Sequence, residues 1–218
     1  MPFSDIIRLK RLEDVLEKYW NSHRLDHTVK YLIRHVFVSP FDFFQEFGDY
    51  WEERGWQKIG HQLEDLFTRL QAFLEDRGTE AMDVITGLMK LDYFLGHKYK
   101  PRKIWWDFTL DKSQYSAYMK EIASNPERIS TRLAEAGLNE RDLHKHTVLE
   151  VLPFELSKVL ESISGLRADE SVMPTGLNIP VILSDSAFAP AVPEGTSIAV
   201  AEAPATNGGR TLLVVMYQ

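Results

Sequence analysis

From His61 to Gly96 apolar residues return at every third or fourth position, a spacing that helices satisfy and strands do not. Leu63, Leu66, Phe67, Leu70, Phe73 and Leu74 form one such stripe. Gly78 stands where a left-handed C-terminal cap belongs, so a helix over 61–77 follows. Val84, Ile85, Leu88, Met89, Leu91, Phe94 and Leu95 form a second stripe over 79–96. It is apolar on so many sides that this helix is expected to be the central, most buried element.

The residues upstream continue the helical pattern. Leu9, Leu12, Val15, Leu16 and Tyr19 line one side of a first amphipathic helix, with Ser4 as its cap and Arg8, Lys10, Arg11 and Lys18 on the other face. A shorter helix is predicted over 27–38. Ser39-Pro40 then supplies an N-cap followed by proline at the first helical position, and Gly55 closes the third helix. Within this third helix Phe43, Phe44, Phe47, Tyr50, Trp51 and Arg54 fall on one broad face. Asp42, Gln45, Glu46, Asp49, Glu52 and Glu53 fall largely elsewhere, which makes the aromatic stretch a packed face with a solvated back. Two further helices are predicted over 112–124 and 127–136.

After about residue 145 the composition changes. HTVLEVLPFEL and TLLVVMYQ are rich in β-branched residues, and turn-forming stretches such as VMPTGLNIPV, FAPAVPEGT and APATNGG lie between them. Strands are predicted near 146–152, 179–183, 197–202 and 211–217. The fold class is therefore α+β and mainly α, an N-terminal helical bundle with a small C-terminal antiparallel β-sheet. The organisation expected is a helical body over 1–144 and a sheet with long Pro/Gly-rich loops over 145–218, packed on that body as one unit.

At 218 residues, 44% of them hydrophobic, the chain holds enough apolar side chains for one substantial core or two small ones. Its net charge of -7 argues against a broad nucleic-acid footprint, so any basic contact is local. Cysteine is absent, which excludes disulfides, thiolate nucleophiles and cysteine-ligated zinc or iron–sulfur clusters within this chain. MPFSDIIRLKRLEDVL carries charges every few residues where a signal peptide needs an apolar run, and no window approaches a membrane span. No membrane association is expected, and a cytoplasmic location follows as the default.

Chemical motifs are sparse. HRLDH places His23 and His27 four residues apart around Asp26, a spacing that suits metal ligands on a helix, but it reads better as a solvated turn because no third ligand is evident. His144 and His146 flank Lys145 at the start of the first predicted strand, where alternate residues share a face; without more ligands this too is read as ordinary structure. Asp92 lies inside the most apolar helix beside Tyr93, and the preferred reading is a buried aspartate satisfied by a neighbouring hydroxyl or arginine. No glycine-rich phosphate loop, GxSxG elbow or HExxH helix occurs. Neither a catalytic residue nor a metal site is assigned.

HKYKPRKIWW, residues 97–106, concentrates Lys98, Lys100, Arg102 and Lys103 just before Trp105 and Trp106. Cations beside exposed aromatics suit a small anionic ligand, a nucleotide or an acidic partner surface. The competing and preferred reading is a solvated loop whose tryptophans anchor it to the core.

RLKRLEDVLEKYWNSHRL at 8–25, SPFDFFQEFGDYWEERG at 39–55, LMKLDYFLG at 88–96 and the terminal LLVVMYQ together resemble the signatures of an uncharacterised domain at the C-terminal end of cobalamin-binding radical-SAM proteins, of the iron–sulfur oxidoreductase type. The resemblance spans nearly the whole chain, is strongest before residue 100 and is loose between about 165 and 210. It implies a parent enzyme in which a cobalamin domain and a radical-SAM barrel carry the chemistry, with an iron–sulfur cluster, S-adenosylmethionine and cobalamin as cofactors. This chain, lacking cysteine, holds none of the cluster ligands. The function implied is an accessory domain, not catalytic alone, that shapes substrate access or interdomain contacts, with the catalytic domains as its partner. An exposed apolar face is then expected where the barrel sits, and the first helix is the candidate. The alternative is a free-standing helical module that binds a small anionic ligand or acidic partner through 97–106.

Overall fold

The computed structural model describes residues 3–128, 134–135, 137, 139–164, 179–184 and 211–216. The backbone groups into two compact units. One takes the chain up to Gly96 with Lys103–Trp105 and the stretch from Ser162; the other takes His97–Arg102, Trp106–Glu161 and the later strands. The sequence-based boundary at 144/145 falls inside the second unit.

Among its described residues the first unit holds helices and turns and no strand. It runs α1 (Phe3–Leu16), a π-turn over Glu17–Asn21, α2 (Asp26–Tyr31), a π-turn over Leu32–Val36, α3 (Pro40–Glu53), α4 (Leu63–Asp76) and α5 (Met82–Gly96). Its boundaries follow local chemistry. Ser39 Oγ accepts the Asp42 N–H at 3.1 Å with Pro40 in the first turn. Gly55 and Gly78 take left-handed φ values of 72° and 68° just beyond α3 and α4, which a side chain would resist. α5 starts at Met82 and not at 79, because Ala81 at φ 57° interrupts the helical path. α1 begins at Phe3, so Ser4 lies within its first turn and not at a cap.

The core of this unit forms where the predicted stripes meet. Phe43, Phe44, Phe47 and Trp51 are buried on α3, Leu66, Phe67, Leu70, Phe73 and Leu74 on α4, and α5 buries Ile85, Leu88, Met89, Leu91, Tyr93 and Phe94. Tyr19 completes it, its hydroxyl donating to the Leu66 carbonyl at 2.8 Å; burial drives its pKa well up. Two side chains depart from the expected pattern. Gln45 is buried and donates to Asp49 Oδ1 at 3.1 Å, and Leu9 is exposed despite the α1 stripe.

Gly48 makes the α1–α3 approach possible. A Cβ there would lie 3.2 Å from the Arg11 carbonyl carbon and oxygen and 3.3 Å from the Leu12 nitrogen, all backbone atoms of α1. Those atoms cannot rotate away as a side chain would. Gly48→Ala is therefore expected to destabilise by about 1–2 kcal/mol, the displacement of α1 outweighing the roughly 0.5–1 kcal/mol that alanine gains in a helix. Urea unfolding checks this, and an alanine variant more stable than wild type would show that α1 yields freely.

The second unit holds α6 (Lys112–Ser124), α7 (Glu140–His146), β1 (Thr147–Leu152), most of α8 (Leu156–Ile163), β2 (Ile179–Ser184) and β3 (Thr211–Met216). Asp111 caps α6 by accepting the Ser113 and Gln114 N–H groups at 2.7 and 2.8 Å. β3 lies centrally, antiparallel to both neighbours, in the order β1-β3-β2. Val148 pairs with Val215 on one side, and on the other Pro180 pairs with the same Val215. Proline is admissible there because β2 is an edge strand. The fold is mainly helical with a small antiparallel sheet, as the sequence predicts. Of the helix expected over 127–136, Pro126–Arg128 forms a 3-10 turn and 134–135 are helical, the rest lying outside the described residues. The strand expected at 197–202 lies outside them too, as do residue 217 and the loops after Ser184.

One expectation is overturned. His144 and His146 do not start a strand; they occupy the last turn of α7, and β1 begins at Thr147. Asn139 accepts the Asp142 N–H at 3.0 Å, a side-chain cap that nucleates this short helix. Among the described residues no helix is long and apolar enough to cross a membrane.

Candidate functional site

The basic-aromatic residues at 97–106 divide between the two units. In the second unit, Lys98 is exposed with Nζ 5.3 Å over the Tyr99 ring, and Arg102 is exposed. Lys100 is half-buried and donates to the His144 carbonyl at 2.8 Å; burial lowers its pKa. Trp106 Nε1 donates to Glu150 Oε2 at 2.9 Å. In the first unit, Lys103 is exposed and its carbonyl accepts the Tyr93 hydroxyl at 2.9 Å. Trp105 Nε1 donates to Gln71 Oε1 at 3.0 Å, and its ring centroid lies 4.9 Å from Phe67 and 4.8 Å from Tyr93. Burial, with the Glu64 carboxylate beside it, raises the Tyr93 pKa. Both indole N–H groups and the Lys100 ammonium are thus engaged within the chain.

Glu150 was not singled out in the sequence. It is fully buried in β1, where Oε2 meets Trp106 and Oε1 accepts the Thr109 and Val151 N–H groups at 3.3 and 3.1 Å. A carboxylate inside TVLEVL, an otherwise apolar strand, was the available signal: buried charges persist only when hydrogen-bonded.

Asp92 and His27, 65 residues apart, anchor a polar cluster in the first unit. Asp92 is buried on α5 and faces the start of α2. Its Oδ1 accepts from the His27 N–H at 3.2 Å and from His27 Nδ1 at 2.6 Å; Oδ2 accepts from the Thr28 N–H at 2.8 Å and Oγ1 at 2.7 Å. The carboxylate is therefore a helix cap supplied from another helix, and the hydroxyl expected beside Asp92 is that of Thr28. Burial pulls the His27 pKa down, but the charge and hydrogen bond of Asp92, aided by Asp26 against Lys30, carry it above the ordinary value of 6.5. With Nδ1 held, Nε2 is the nitrogen left for proton exchange on a ring whose side chain is 32% exposed.

His23 and His27 do not share a ligand set. His23, exposed and at φ 56°, holds Asp26 Oδ2 at 3.1 Å, while His27 is turned to Asp92. His144 Nε2 lies 4.0 Å from Glu140 Oε1 and its ring 5.6 Å from Tyr115. Among the described residues no three histidine or carboxylate side chains come together as a metal site.

A family model described as protein of unknown function (DUF4080) matches residues 1–173. The chain belongs to the DUF4080 family. The match takes in three of the four signatures, at 8–25, 39–55 and 88–96, and the fourth, LLVVMYQ, lies beyond it. It also contains the candidate site residues of the DUF4080 chain, Asp92, His27, Glu150 and the 97–106 residues included. No curated protein and no solved structure matches the chain.

Proposed function

We propose that this DUF4080 chain serves as an accessory C-terminal domain of a cobalamin-dependent radical-SAM enzyme, docking on the catalytic domains and shaping substrate access without performing the chemistry. The observation that carries the reading is α1. Val15 and Tyr19 are wholly buried, whereas Ile6 and Leu9, one turn apart, remain 39% and 47% exposed. An amphipathic helix that leaves an apolar pair uncovered is suited to a protein partner. Absence of cysteine supports a non-catalytic role, because a radical-SAM cluster needs thiolates and the partner must supply them. The resemblance of the three N-terminal signatures supports radical-SAM catalytic domains as the partner.

The rival reading, an anionic ligand or acidic partner held by 97–106, has less support. Lys98, Arg102 and Lys103 are exposed there, but the tryptophans and Lys100 are engaged as anchors.

Mixing the purified chain with separately expressed catalytic domains that carry a CxxxCxxC motif, followed by size-exclusion chromatography and titration, tests the proposal. Ile6→Glu with Leu9→Glu is expected to weaken association about 10- to 100-fold while leaving the circular dichroism unchanged, since both side chains are exposed. No association in the wild type, or equal affinity in the double variant, overturns docking through α1. The chain alone is expected to be colourless; stoichiometric cobalamin or iron–sulfur absorption would move cofactor binding into it.

A further inference from the structure

Arg69 differs in its partners from Arg11, Arg54 and Arg77 of the helical unit. Arg11 pairs with Asp49 and Glu52, Arg54 with Asp76 and Arg77 with Glu46. No carboxylate pairs with Arg69 among the described residues; its guanidinium donates to His61 Nδ1 instead. The guanidinium carbon lies 5.3 Å from the Trp51 ring centroid and 5.1 Å from that of Trp56, the two rings standing 5.3 Å apart at 76°. Arginine tolerates such flanking because it is weakly hydrated, and the rings orient its remaining N–H donors.

The neighbours are donors as well. Trp51 is almost wholly buried and its Nε1–H meets no acceptor, an exception to the rule that buried indole N–H groups are paired. Its ring lies 4.9 Å from the His61 ring, and the Lys18 ammonium stands 5.7 Å over it. Lys18 is itself tied to Asp14. Arg69 is the cation of this cluster that lacks an acidic partner.

We propose that Arg69 and His61 form a binding site for a small tetrahedral oxyanion of the phosphate or sulfate class, beside the Trp51 and Trp56 rings. A guanidinium with unused N–H groups is the donor type that recognises such anions. Arg69, His61 and Trp56 are each half-exposed, so a small ion reaches them from solvent. Binding is coupled to a proton. Burial and the charges of Arg69 and Lys18 hold His61 below its ordinary pKa against the opposing carboxylates of Asp14 and Asp65. A bound dianion offsets the two cations and competes for the Arg69 N–H that Nδ1 accepts, so His61 takes up a proton at Nδ1 on binding, while Nε2–H is the donor it offers the anion.

The test is an NMR titration of the five indole N–H signals with sodium sulfate against sodium chloride at matched ionic strength. Sulfate is expected to shift the Trp51 and Trp56 signals saturably while Trp20, Trp105 and Trp106 stay in place. Affinity is expected to rise as pH falls from about 8 to about 6, sulfate keeping its charge throughout while His61 protonates. Arg69→Gln should weaken binding about tenfold or more, the loss of a charged hydrogen-bonding partner. His61→Gln should keep binding but lose its pH dependence. Chloride-like behaviour of sulfate, an unaffected Arg69→Gln variant, or acetate binding as tightly as sulfate each overturns the proposal. If Arg69→Gln fails to fold by circular dichroism, the wild-type shift pattern and its pH dependence decide.

Discussion

Replacing Asp92 by alanine is expected to lower stability by about 3–5 kcal/mol, because it leaves two N–H groups, a hydroxyl and an imidazole N–H at the start of α2 without their acceptor. Urea unfolding followed by helical circular dichroism should show the midpoint falling by roughly 1–3 M. Asp92→Asn should fare little better. Each carboxylate oxygen receives one backbone N–H and one side-chain donor, so whichever side the amide NH2 takes, donor faces donor. An asparagine variant close to wild type would show that the cap matters by shape and not by acceptor chemistry.

The pH dependence gives an independent reading of the same cluster. The folded-state His27 pKa is raised above 6.5. Its contribution to stability is thus fully present below the unfolded value, near pH 6.5, and is lost as pH rises through the raised folded value. Wild type should lose more stability than His27→Gln across that rise. In Asp92→Ala that extra loss should disappear and the difference change sign, because burial without the Asp92 charge lowers the imidazole pKa.

The sequence revealed most of this where chemistry is local. Ser39-Pro40, Gly55 and Gly78 mark the ends of α3 and α4 because caps and left-handed glycines act within one turn. The 112–124 helix falls where predicted, and the three described strands fall within one residue of their predicted ends. α7 was legible but missed: Asn139, three residues before Asp142, is a capping signal that outweighed the β-branched run after it. α8 was left unassigned, although Leu156, Val159, Leu160 and Ile163 follow helical spacing. The partners of Asp92, Glu150 and Arg69 were not legible. Apart from the adjacent Val151 N–H, they come from residues 8 to 65 positions away, and no pattern along the chain states which donors a fold will bring to a buried carboxylate.

Phe47→Ala is the other large effect, and it decides whether the aromatic stretch at 39–55 is core. Phe47 is fully buried, with ring centroids of Phe73 at 4.7 Å, Tyr19 at 4.9 Å, Trp51 at 5.8 Å and Phe43 at 5.9 Å. Deleting it should cost about 3–5 kcal/mol, transfer and cavity together, with the ring pairs favouring the upper end. Phe41, six residues earlier and 52% exposed, should tolerate alanine within about 0.5 kcal/mol. Similar losses at both positions, measured by urea unfolding, would rule out a packed face. The contrast extends to anion binding. Phe47 supports the Trp51 ring on which Arg69 lies, so Phe47→Ala should loosen that wall and weaken the sulfate response of the Trp51 indole, whereas Phe41→Ala should leave it intact. A core substitution that abolishes binding with Arg69 untouched would show that the guanidinium recognises its anion only while the aromatic face holds it in place.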